Sequence, residues 1–283
     1  MEHPAVLKVC DYLKNEGFRI TILPVDGNGW VNPDDVKAAI TPQTILVSVM
    51  HANNEVGTIE PIYEISEIAH SHNIIVHTDA AQSIGKIPAQ VDELGVDLLS
   101  VAGHKLYAPK GVGVLYVRTG TELEKMMHGA DHERNMRAGT ENVLEIVGLG
   151  KACELIEYHL SEYAAHFNKI RDHLEQIITL EFPWAKINGN LENRLPNTSN
   201  ISFIGIEANQ ILFELSAVAA SAGAACHTDR VAISHVLEAM HIPKKNAMGT
   251  IRFSTGRTTT MEEIIQAGNE IIQVIKKFKH LDY

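Results

Sequence analysis

Three short apolar runs, each ending beside polar residues, constrain this chain more than any other feature. Thr44 to Met50 reads as a continuous apolar run, Ile74 to Thr78 is a second, and Leu98 to Val101 is a third. Val112 to Val117 follows closely. Runs of this length without alternation are expected of strands buried on both faces. Between the first two, Pro61 opens a predicted helix with Ile62, Ile65, Ile68 and Ala69 on one face. The acids Glu60, Glu64 and Glu67 lie near its start, where negative charge is favourable. Phe18 to Val25 is β-rich and stops at the turn Asp26-Gly27-Asn28-Gly29. Strands alternating with helices predict an α/β fold, a mainly parallel sheet covered by helices. In such sheets ligands bind beyond the carboxyl ends of the strands. Asn53-Asn54-Glu55, Asp79 and Lys105 each fall just after a strand and are expected to meet in one crevice.

The second half keeps a β-α-β-α rhythm with fewer strands. Glu141 to Leu180 is mostly helical, with Ile170, Leu174 and Ile177 in helical spacing. A strand is predicted over Asn200 to Ile206, and then a helix from Asn209 to Ala220 that stops at Gly223. Another strand surrounds Ile251 to Phe253, and a closing helix runs from Met261 to Phe278. These patterns predict a large domain over residues 1–155 and a smaller C-terminal α/β domain over 156–283.

The formal charge of -11 argues against a general nucleic-acid binder, which needs positive faces to displace phosphate counterions, and against anionic membrane surfaces. No apolar run approaches the roughly 20 residues that span a bilayer. Met1-Glu2-His3-Pro4 shows no basic stretch followed by an apolar one, so no signal peptide is expected and a reducing cytoplasm is the predicted compartment. Cys10, Cys153 and Cys226 form no CxxC pair; neither a metal site nor a disulfide framework is expected.

Lys105 and Asp79 carry the chemistry. A lysine and a carboxylate at the ends of sheet strands are what pyridoxal 5'-phosphate requires: an amine for the Schiff base and an acid that keeps the pyridine nitrogen protonated. Small residues Ala102 and Gly103 are expected to let the backbone approach a ligand. Gln82 lies one helical turn beyond Asp79 and is expected to donate to a ligand oxygen. Cys226 follows a helix stop among small residues, in what reads as an exposed loop with His227 at hand to assist the thiol. Arg252, between Ile251 and Phe253, faces away from both and suits a carboxylate, either an internal partner or a substrate.

In this order, the stretches Glu2-His3-Pro4-Ala5-Val6-Leu7, Met50-His51-Ala52-Asn53-Asn54-Glu55-Val56-Gly57, His77-Thr78-Asp79-Ala80-Ala81-Gln82-Ser83 and Gly103-His104-Lys105 carry a resemblance. It continues through Arg137-Ala138-Gly139-Thr140-Glu141-Asn142, Gly223-Ala224-Ala225-Cys226-His227 and Ile251-Arg252-Phe253-Ser254. The chain resembles the NifS/IscS-type cysteine desulfurases and the related selenocysteine lyases, of the class V aminotransferase superfamily of fold-type I enzymes. The resemblance implies that Lys105 carries the Schiff base, His3 stacks on the pyridine ring, Asp79 pairs with its nitrogen and Gln82 bonds its phenolic oxygen. Asn54 orients cofactor and substrate, and His104 contacts the phosphate. Thr140 reaches the phosphate of the partner subunit in a homodimer, and Arg252 holds the substrate carboxylate. Cys226 takes sulfur from L-cysteine, or selenium from L-selenocysteine, and an acceptor protein is implied downstream. The chain departs from the family pattern in two places. It is expected to lack the upstream segment with the phosphate-cradling loop, and Ala102 stands where a hydroxyl residue is usual. Two other functions remain open: a family fragment serving as scaffold or partner, and an aminotransferase or β-lyase on the same fold.

Overall fold

In the computed structural model, residues 1–227 and 230–279 are described, the side chains of 224–232 and 279 excepted. The helices are α1 (Pro4–Asn15), α2 (Pro33–Ala39), α3 (Ile62–His70), α4 (Val91–Leu94), α5 (His132–Asn135), α6 (Val143–Glu181), α7 (Ala208–Glu214), α8 (His235–Ala239), α9 (Lys244–Ala247) and α10 (Met261–Lys279). The strands are β1 (Leu46–Ser48), β2 (Ile75–Asp79), β3 (Leu98–Ala102), β4 (Gly113–Val117), β5 (Lys186–Ile187), β6 (Thr198–Ser202), β7 (Ser221–Ala222), β8 (Ala224–His227), β9 (Arg230–Ile233) and β10 (Thr250–Ser254). Two compact units result. One combines Met1–Asp35, Ala52–Glu60 and Ser161–Tyr283; the other combines Val36–His51 and Pro61–Leu160.

The unit of 36–51 and 61–160 holds a sheet of order β1-β2-β3-β4. The first two pairings are parallel and β4 runs antiparallel to β3, so the sheet is mainly parallel and the α/β expectation holds. The reversal at β4 fits the link: residues 103–112 are shorter than the crossover of about a dozen residues or more that parallel neighbours need. Gly103 makes the turn possible. A Cβ there would lie 2.6 Å from the Val112 carbonyl oxygen. On the side where a Cβ would stand, the close approach at Gly103 is to the neighbouring backbone. On α3, Ile62, Ile65 and Ala69 are buried as their spacing requires, and the helix packs on β2.

The other unit is built on an antiparallel sheet of order β5-β6-β10-β7. Its core joins Phe167, Ile170, Leu174 and Ile178 of α6 to Ile201, Phe203, Ile251 and Phe253, and is closed by Ile264, Ile271 and Ile275 of α10. The spacing of the α6 and α10 residues puts them on one helical stripe each. A buried ion pair pins α6: Arg194 donates to both Glu175 oxygens at 2.7 and 2.8 Å, and Ser199 Oγ donates to Glu175 Oε1 at 2.6 Å.

Three sequence expectations need correction. Phe18 to Val25 joins no strand among the described residues; β-propensity yields a strand only where a neighbour supplies the hydrogen-bond ladder. The helix after Asn209 stops at Glu214, not Ala220, because Glu270 captures the next amides. Its Oε1 accepts from Ser216 N–H at 2.6 Å and Ala217 N–H at 3.2 Å, and these bonds hold its carboxyl below the usual range. The segment around Cys226, expected as a loop, has backbone paired as a two-stranded hairpin, with Cys226 opposite Val231. Glu60, one of the acids ahead of α3, is buried. Its Oε2 accepts from Val31 N–H at 2.8 Å.

Candidate functional site

Asp79 ends β2 and Lys105 sits in the 3-10 turn Gly103–Leu106 that ends β3. The two strands are parallel neighbours, with Asp79 opposite Ser100, so the acid and the amine share one end of the sheet. Leu106 fastens the turn. It is buried in a cluster with Ala108, Leu149 and Ala152, which leaves the adjoining Lys105 half-buried and His104 exposed. Lys105 Nζ has no hydrogen-bond partner among the described residues. Asp79 Oδ1 accepts from Ala81 N–H at 2.9 Å, an Asx turn that orients the carboxylate.

Below Asp79 lies a polar ladder that spacing alone did not flag. His77 is directly opposite Ser48 and, like Asp79, lies on the face that carries Ser100. Its Nδ1 lies 2.8 Å from Ser48 Oγ and its Nε2 2.9 Å from Ser100 Oγ. Burial lowers the His77 pKa, with the Asp79 charge opposing. A neutral imidazole satisfies both hydroxyls, donating to one and accepting from the other.

After Asp79 the chain turns back on itself. Lys86, buried, donates from Nζ to the Gln82 carbonyl at 2.7 Å and to Gln82 Oε1 at 3.1 Å. Burial first, and then the neighbouring Lys105 charge, brings the Lys86 pKa down to about 8. The amine neighbour of Lys105 is thus Lys86, a residue the sequence reading did not single out. Thr140, in the same unit, is exposed, and no hydrogen bond joins it to Asp79, Gln82 or Lys105 among the described residues.

The remaining candidates belong to the other unit, where hydrogen bonds gather them. Arg252 donates to the Asn54 carbonyl at 3.1 Å and to Ser221 Oγ at 3.0 Å. No carboxylate pairs with it among the described residues, so the internal salt bridge weighed from sequence is not what holds it. The Asn54 turn is tied down at both sides. Asn200 Nδ2 donates to the Glu55 carbonyl at 3.1 Å, and Ser234 Oγ donates to Glu55 Oε2 at 2.5 Å. Ser234 also roots the Cys226 hairpin through its N–H to the Gly223 carbonyl at 2.8 Å. Next to it, His235 Nε2 lies 2.9 Å from the Glu2 carbonyl, beside His3. His3 itself caps α1, accepting from Ala5 N–H at 3.1 Å. His3, Asn54, Arg252 and the hairpin base are therefore brought together. The Cys226 side chain lies outside the described residues.

Among the described residues no group of His, Cys, Asp and Glu suits a metal ion, and no helix is long and apolar enough to cross a membrane. A shallow hollow of about 390 Å³ lined by Asn209, Gln210, Phe213, Glu214 and Phe278 contains none of the candidate residues.

Comparison with known proteins shows the family. The family model described as aminotransferase class-V matches residues 1–266. The cysteine desulfurase IscS of Dictyoglomus turgidum is 46% identical over 281 residues, 99% of this chain and 71% of that protein. The cysteine desulfurase NifS of Azotobacter vinelandii is 44% identical, over 99% of this chain and 70% of its own length. Among solved structures, a NifS-like protein superposes with a TM-score of 0.90 at 37% identity, covering 97% of this chain and 73% of that one. A structure titled SspA in complex with cysteine reaches a TM-score of 0.75 at 33% identity, over 92% and 72%. With one family model running through most of its length and relatives this similar, the chain belongs to the class-V aminotransferase family.

Proposed function

We propose that this protein is a pyridoxal-phosphate-dependent cysteine desulfurase that converts L-cysteine to L-alanine and a persulfide on Cys226. The observation that carries the reading is the pairing of Asp79 and Lys105 at the carboxyl ends of adjacent parallel strands. The donor set fits the cofactor. Lys105 Nζ is without a partner among the described residues, Asp79 Oδ2 accepts no bond there while Oδ1 is held, and Gln82 offers its amide beside them. When bound, pyridoxal phosphate supplies an electron sink that loosens bonds at the amino-acid α- and β-carbons.

The chain's own residues do the rest. Lys105 would hold the cofactor, and its Nζ would take the substrate α-proton. Asp79 would hold a proton at the ring nitrogen, with His3 and Gln82 as the other residues toward the ring. His104 would hold the phosphate, and Asn54 would orient the substrate. Arg252 binds the substrate carboxylate, exchanging two neutral acceptors for a charged one. Cys226 thiolate attacks the substrate sulfur. The sulfur–carbon bond breaks, its electron pair stays on carbon, a proton follows, and alanine leaves. The same steps with L-selenocysteine would leave selenium bonded to Cys226. Divided by role, residues 1–155 provide most cofactor contacts and 156–283 provide Cys226 and Arg252.

A homodimer belongs to this reading, with Thr140 reaching the partner's phosphate. Val143, Leu144, Ile146 and Val147 at the start of α6 are exposed together, apolar surface of the kind that marks an interface. A sulfur acceptor protein and a cytoplasmic setting complete the proposal. The test is to add pyridoxal phosphate and cysteine to the wild type, Lys105→Ala and Cys226→Ser. A visible absorbance band that disappears in Lys105→Ala, with alanine and sulfide release that requires both residues, is expected. Pyruvate, ammonia and sulfide that still form in Cys226→Ser with no persulfide would instead identify a β-lyase, and no band in any of the three would remove the cofactor.

A further inference from the structure

We propose that Lys86 is a positioning residue that fixes the side-chain amide of Gln82 with its NH2 end presented as donor. This rests on the reading above, in which Gln82 donates to an oxygen of the bound ring. The turn after β2 brings the two together. Ile84 N–H donates to the Ala80 carbonyl, Lys86 N–H to the Ser83 carbonyl and Ile87 N–H to the same carbonyl at 3.1 Å, so the Lys86 stem folds back over Gln82. Gly85 takes a left-handed φ of 82° there, with Ile156 closing over it. At 8% exposure the Lys86 ammonium has little water, and its hydrogen-bond partners among the described residues are the carbonyl and the Oε1 of Gln82.

Chemistry removes the usual ambiguity of amide orientation. An ammonium donates and cannot accept. The Gln82 atom 3.1 Å from Nζ is therefore the oxygen, and the NH2 is the end left for a ligand. Without Lys86 the amide is free to turn over and offer an acceptor to an acceptor. Lys105 is the charged group that acts on Lys86 among the described residues. The two amines thus stand on one site with different tasks, one to react and one to hold a neutral neighbour in register.

The experiment has an arm that needs no cofactor. Glutamine side-chain amide resonances are recorded on the 15N-labelled protein, the Gln82 pair being assigned by its loss in Gln82→Ala. In the wild type the pair is expected to move as pH passes through about 8, where Lys86 loses its proton. In Lys86→Met it is displaced and no longer moves; in Lys86→Arg it stays at its low-pH position throughout. A pair that is unchanged in Lys86→Met overturns the proposal. The second arm titrates pyridoxal phosphate and follows the Lys105-dependent band. Lys86→Met is expected to weaken binding about tenfold, the size of one lost hydrogen bond, to be rescued by Lys86→Arg, and to have no further effect in a Gln82→Ala background. Additive losses would refute action through Gln82. A wild type with no such band defeats the cofactor reading, while the resonance arm still decides the Lys86–Gln82 claim.

Discussion

Glu60 should make this protein less stable as pH rises through neutrality. Its carboxyl is 3% exposed, one oxygen accepts from Val31 N–H at 2.8 Å, and the other has no partner among the described residues. Burial pushes its pKa from 4.5 up to about 8, with Glu2 and Asp26 adding to the rise. Folding therefore takes up a proton wherever the unfolded carboxyl is ionised. The stability is intact below the unfolded pKa, declines as pH climbs from there, and reaches its floor above about 8. At about 1.4 kcal/mol per pH unit, that span sets a ceiling of about 5 kcal/mol. Glu60→Gln keeps an acceptor for Val31 N–H and cannot ionise. Urea unfolding of both proteins, in steps from about pH 5.5 to about pH 8, measures the difference. The wild type should lose about 1.4 kcal/mol more than the variant for each pH unit in that window. Parallel pH dependences would mean that Glu60 is ionised in the folded protein, and the burial argument would fail.

Gly249→Ala should cost about 3 kcal/mol or more, seen as a lower unfolding midpoint, because the added Cβ would sit 2.1 Å from the Phe203 oxygen and 2.4 Å from the Ile206 oxygen, both backbone atoms. Glu175→Gln should cost about 3–5 kcal/mol by denaturant unfolding, since it strands the buried Arg194 charge. Replacing Glu175 and Arg194 together by apolar residues should recover most of that loss. Arg252→Gln should raise KM for cysteine by about 10- to 150-fold with little change in kcat, the loss of charge-assisted bonds to a carboxylate; a fall in kcat at unchanged KM would contradict that role.

The parts legible in sequence are those fixed by local periodicity. The apolar run ending at Thr78 and the one ending at Val101 became β2 and β3 because short unbroken apolar runs are a simple strand signature, although one face of β2 is only half-buried. Asp79 and Lys105 could be read because they follow those runs. Long-range partners left no such trace. Glu60 carries the composition of a helix start, and only the fold brings Val31 N–H onto it. Glu270 ends α7 from more than fifty residues away. Lys86 looks like a solvated lysine until the turn folds it over Gln82. Phe18 to Val25 failed for the converse reason: its residues suit a strand, but a strand is a property of two segments. His77 carries no signal of its own in the sequence, since the registers that set it between Ser48 and Ser100 belong to the sheet and not to the run.

Arg252 spends its bonds on a carbonyl and a hydroxyl, so its full positive charge is uncompensated by any acid among the described residues. A site of that kind draws small anions without having to expel a resident one. Attraction of this sort is weakened by mobile ions as the Debye length shortens. Capture of an amino-acid carboxylate here should therefore be fastest in dilute buffer and slow steadily as chloride is added.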